Sequence, residues 1–110
     1  MKVFNISLIC LFFLMTSCAN NSGFKTKTNQ QKKADLYYSH GTQALVSGDY
    51  KKALSHLRDA KKHDSENPKI LNNLGMAYFF KKDLNKAIKL IQKAIKIDPD
   101  NSDARTNIGS

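Results

Sequence analysis

Cysteine is nearly missing from these 110 residues: Cys10 and Cys18 are the only two, and none follows position 18. A disulfide scaffold is thereby excluded for the rest of the chain. Glutamate occurs once, at Glu66, and histidine three times, at His40, His56 and His63. On one helix His56 and His63 would stand about 10 Å apart by helical rise, with no thiol at hand to complete a zinc site. Ser39 beside His40 is no nucleophile–base pair, because adjacent helical residues point apart. Glycines stand singly, so no phosphate-binding loop can be built. Strand signals are absent as well. No catalytic constellation, metal set or cofactor motif emerges from this inventory, and no enzyme is expected.

What is present begins at the amino terminus. Met1-Lys2 is a short positive segment, and Ile6 to Met15 is a run of apolar residues. Counted from Val3, that run rises about 20 Å as a helix, short of the roughly 30 Å of a hydrocarbon core. A cleaved signal peptide fits better than a transmembrane anchor. The segment Leu14-Met15-Thr16-Ser17-Cys18 resembles the lipobox of bacterial lipoproteins. The resemblance implies cleavage before Cys18 and lipid on its sulfur. Residues 1–17 then read as the signal, and 18–33 as a lipidated start followed by a polar tether without periodicity.

Charge is one-sided, with 18 Lys and Arg against 9 Asp and Glu. Nearly all the cations are lysines, whereas phosphate forks favour arginine. Nucleic acid is not an expected partner, and a solvated lysine surface is the plainer reading. A surface that binds anionic membrane or polymer is the alternative.

Self-comparison of the chain exposes its organisation. Gly41, Gly75 and Gly109 recur every 34 residues, and aligning 34–67 with 68–101 also pairs Asp49 with Asp83, Lys52 with Lys86, Ala53 with Ala87 and Ala60 with Ala94. Tyr50, Ala53, Leu54, Leu57 and Ala60 lie on one helical face, as do Leu84, Ala87, Ile88, Ile91 and Ala94. Asp49 and Asp83 are placed to cap these helices. Asn67-Pro68 opens another helix with a cap and a first-turn proline. Two all-α units of two helices each are predicted, with 102–110 beginning a third.

This pattern resembles the tetratricopeptide-repeat family. Leu71, Leu74-Gly75, Tyr78, Ala87, Ile91, Ala94 and Pro99 match the family's signature in the second unit. Tyr37, Gly41, Ala53, Leu57 and Ala60 match it in the first, which departs at His40, Ala44 and Ser65. The resemblance implies helix–turn–helix repeats stacked as a short right-handed solenoid, with the first helix of each repeat lining a peptide-binding groove. Carried onto this chain, the groove falls on Tyr38, Thr42, Leu45, Val46, Asn72, Asn73, Met76, Phe79 and Phe80. One of the two phenylalanines is expected to pack under the turn. The positions of the family's carboxylate clamp carry Tyr38, Thr42, Asp103 and Asn107, which do not suit that mode.

The implied function is that of a lipid-anchored adaptor in a bacterial envelope, on the periplasmic face of the outer membrane. It would hold a protein or peptide segment of unknown identity, and it is most similar to repeat lipoproteins of pilus or secretion assembly. A truncated product without function is a further alternative. The apolar positions of 84–97 exceed what one repeat needs, so self-association through an uncapped carboxy-terminal end is also expected.

Overall fold

The computed structural model describes residues 26–100. Cys18, the expected signal segment and the expected start of a third repeat lie outside those residues. The described part is four helices: α1 (Asn29–Val46), α2 (Tyr50–His63), α3 (Pro68–Phe80) and α4 (Leu84–Ile97). None of them is long and apolar enough to cross a membrane.

Helix α1 starts five residues before the boundary at Ala34 expected from the repeat, so the tether does not run to Lys33. Thr28 accepts from the Gln31 amide at 3.2 Å, and the Gln31 side chain accepts from the Thr28 amide at 3.0 Å. This reciprocal capping satisfies two amides that would otherwise lack partners. Residues 29–33 are exposed on every side, so they carry no apolar period to betray the helix.

The other starts are where the sequence put them. Asp49 and Asp83 accept from the amides of Lys52 and Lys86 at 3.1 and 3.3 Å, and Asn67 accepts from that of Lys69 at 3.0 Å. Helices α1 and α3 end alike. Asp49 N–H reaches back to the Ala44 carbonyl and Gly48 N–H to Leu45; Asp83 does the same to Tyr78 and Lys82 to Phe79. Each ending places one residue in the left-handed region, Gly48 at φ 84° and Lys82 at φ 69°.

Within each repeat the two helices cross at a glycine. A Cβ on Gly41 would meet Leu57 Cγ at 2.6 Å, and one on Gly75 would meet Ile91 Cγ1 at 2.6 Å. The missing side chain is therefore what lets the partner's branched residue lie against the backbone. Between repeats, Ala44, Ala53, Leu54 and Leu57 of the first join Leu74 and Ala77 of the second in one buried cluster. Ala34 and Ala60 bury Ile70 at the other end of the junction. Leu71, Ile91 and Ala94 close the second repeat. The fold is an all-α, short solenoid of tetratricopeptide-type helical hairpins.

Helix α3 is the hub of this arrangement, packing on α4, α2 and α1 in turn. Helices α2 and α4 do not pack on each other. A valley remains between them on the side opposite α1.

Candidate functional site

Stacking α3 beside α1 brings together three of the residues expected in the groove. Asn73 Nδ2 donates to Thr42 Oγ1 at 3.0 Å and to Tyr38 Oη at 3.3 Å. These bonds cross from one repeat to the next, and all three side chains remain partly exposed. They leave acceptor and donor capacity facing the solvent, because an amide and two hydroxyls offer more sites than these bonds consume.

The N-terminal end of the groove opens into a hollow of about 910 Å³. Its walls include Asp35, Asp64, Glu66, Asp98 and Asp100 but only Lys27 and Lys69 of opposite sign. Lys27 pairs with Asp35, and Glu66 with Lys93 at 3.2 Å. In a chain of net charge +9 this mouth is acid-rich, a feature the sequence reading missed. Four of the five acids sit in turns or beyond α4, where no periodicity marks them as neighbours.

At the opposite end stands an aromatic ledge. Phe80 stacks on Tyr50 with centroids 4.7 Å apart and planes 8° from parallel, and Phe79 meets Phe80 edge-on at 5.6 Å. Phe79 is 47% exposed and Phe80 41%. Neither phenylalanine is packed away under the turn, contrary to expectation: Phe80 finds its partner on the first turn of α2 instead. Tyr50 was the missed member of this set, because its place in the apolar stripe of α2 suggested core. Asn73 and Phe80 are seven residues apart, so they share one face of α3 about 10 Å apart.

The remaining expected groove residues differ in exposure and surroundings. Leu45 packs against the inter-repeat core, and Met76 against Leu71, Ile91 and Ala94. Asn72 is 6% exposed, so it forms the groove wall rather than an accessible contact. Val46 is 84% exposed and borders a separate hollow along α1 with Tyr38 and Thr42. Lipidation at Cys18 falls outside the described residues.

The histidines assemble into an aromatic row between α1 and α2. Tyr37 stacks on His63 at 5.6 Å and on His56 at 6.4 Å, while His40 meets His56 edge-on at 5.5 Å. His63 Nδ1 also bonds the Gln30 side chain. Among the described residues no cluster of three or more acids, histidines or cysteines could hold a metal.

Comparison with protein-family models matches residues 68–101 to the tetratricopeptide repeat. Among curated proteins, a photosystem I assembly protein, Ycf3, of Prochlorococcus marinus subsp. pastoris is 27% identical over 84 residues, covering 74% of this chain and 49% of its own. Ycf3 of a second Prochlorococcus marinus strain is 29% identical over 83 residues, covering 73% of this chain and 48% of its own. The chain thus spans about half the length of the curated relatives it matches. The matched boundaries coincide with the second unit of the internal alignment, and residues 68–101 are a tetratricopeptide repeat.

Proposed function

We propose that this protein is a non-enzymatic adaptor that holds an extended protein segment between α1 and α3, with Cys18 as a lipid anchor in a bacterial envelope. The observation that carries the reading is that α3 presents both the Asn73–Tyr38–Thr42 cluster and, about two turns on, the Phe79–Phe80–Tyr50 ledge. Backbone amides of a bound segment would use the polar cluster, and an apolar side chain would cover the ledge, where stacked aromatics give large contact area at little entropic cost. The acid-rich mouth favours a basic residue at one end of that segment. Assembly is named in both relatives, which supports an assembly-type role; a part in pilus or secretion complexes belongs to the same proposal.

The test compares envelope extract passed over immobilised wild-type chain and over the Phe79→Ala/Phe80→Ala variant. A partner held by the first and released by the second, with helicity and melting unchanged, supports the groove. Equal retention by both would place the contact elsewhere. The anchor is tested separately: Cys18→Ser should move the protein to the soluble fraction or block its processing, and unchanged membrane fractionation with unchanged mature mass would overturn it.

A further inference from the structure

The valley between α2 and α4 lies on the face away from the proposed groove and encloses about 500 Å³, within the size range of ligand sites. Its floor is apolar: Leu74 is 2% exposed, and Tyr78 and Leu90 are partly buried beside it. Its rim is entirely cationic. Arg58, Lys61 and Lys62 rise from α2 at the i, i+3, i+4 spacing that puts them on one face, and Lys86 and Lys89 face them from α4.

The tyrosine in the floor is held by this rim. Arg58 Nε donates to Tyr78 Oη at 3.0 Å, and the Arg58 guanidinium and Lys86 ammonium lie 5.4 and 5.3 Å from its ring centroid. Arg58 and Lys86 thus make favourable contacts with the ring that floors the opening. Lys62 pairs with Asp59 and Lys86 with Asp83, while Lys61 and Lys89 have no acidic partner among the described residues. Like charges gathered round an apolar floor repel one another, and an anionic occupant would relieve that repulsion.

We infer that this valley is a second binding site, for an acidic protein segment that inserts one aromatic or large aliphatic side chain between flanking carboxylates. Charge complementarity selects the acids, and the enclosed floor selects the anchor. A flat membrane surface could satisfy the rim but could not reach Leu74, which lies at the bottom of the hollow.

The probe is a short fluorescent peptide with one Phe flanked by Glu on both sides, titrated against the full chain by anisotropy. Binding is expected, with shifts of the Leu74 and Leu90 methyl resonances. Replacing the probe's Phe by Ser should weaken it about tenfold or more, as loss of a buried phenyl predicts. Replacing Glu by Gln should abolish it. Lys61→Glu/Lys89→Glu should weaken it at least about tenfold with an unchanged melting curve, since each added glutamate turns an attraction into a repulsion. Phe80→Ala, which alters the other face, should leave it unchanged, so failure here is distinguishable from failure of the groove. Equal affinity of the Ser probe, or of the double variant, would overturn the inference. So would displacement of the probe by phosphatidylglycerol vesicles, which would make the face a membrane contact. Release of a dimer on adding probe would make a second copy the occupant, with the same consequence.

Discussion

Gly48 and Lys82 stand at the same place in successive repeats, and only one of them suits it. Both are left-handed, at φ 84° and 69°, a region that costs a side chain about 1–2 kcal/mol. Lys82→Gly should therefore raise stability by about 0.5–1 kcal/mol after the larger freedom of the unfolded glycine is subtracted, read as a higher urea midpoint by circular dichroism. Gly75 is the reverse case. The added methyl of Gly75→Ala would stand 2.6 Å from Ile91 Cγ1 and 3.1 Å from the Ala87 carbonyl. Overpacking of about 1–3 kcal/mol outweighs the helix propensity gained, so a lower midpoint is expected. A midpoint at or above wild type would show that α4 can retreat without loss.

Among elements, the junction of α1 with α3 carries both packing and the polar cluster. Asn73→Ala removes two bonds at once and should cost on the order of 1 kcal/mol in the urea midpoint. An unchanged midpoint would mean that water replaces the amide without penalty, leaving Asn73 to the groove alone. Helices α2, α3 and α4 were legible in the sequence because Asp49, Asn67 and Asp83 announce their starts and the apolar stripes continue from there. The early start of α1 was not, since Asn29 to Lys33 face water all round; the pairing of Thr28 with Gln31 was the available sign. Of the residues proposed for the groove, some are brought together and others are not. Tyr38, Thr42 and Asn73 were named from the resemblance to the repeat family, but Leu45 and Asn72 turn inward by an angle that spacing on one helix does not resolve. The acids of the mouth converge from α1, from the turn between α2 and α3 and from the residues after α4, and no local pattern could bring them together.

Across the described residues, carboxylates gather at the mouth of the proposed groove and five cations round the valley. The outer side of α4 adds an apolar surface, with Leu84 51% and Ile88 49% exposed one turn apart. Self-association through that side is our expectation, and Leu84→Lys/Ile88→Lys should abolish it without lowering the melting temperature. Sedimentation velocity across a concentration series decides, and a wild type that stays monomeric throughout would remove the expectation. The separation of α2 from α4 has a mechanical consequence. The two repeats are fastened where α3 packs on α2 and, more lightly, on α1, while α2 and α4 do not pack on each other behind, so bending between them turns about that seam. A wedge driven into the rear gap rocks the repeats toward each other in front, as spreading the grips of a clothes peg closes its jaws. Occupants of the two faces should then compete without touching. Linkage requires each to weaken the other by one and the same factor, measurable as matched changes in both dissociation constants.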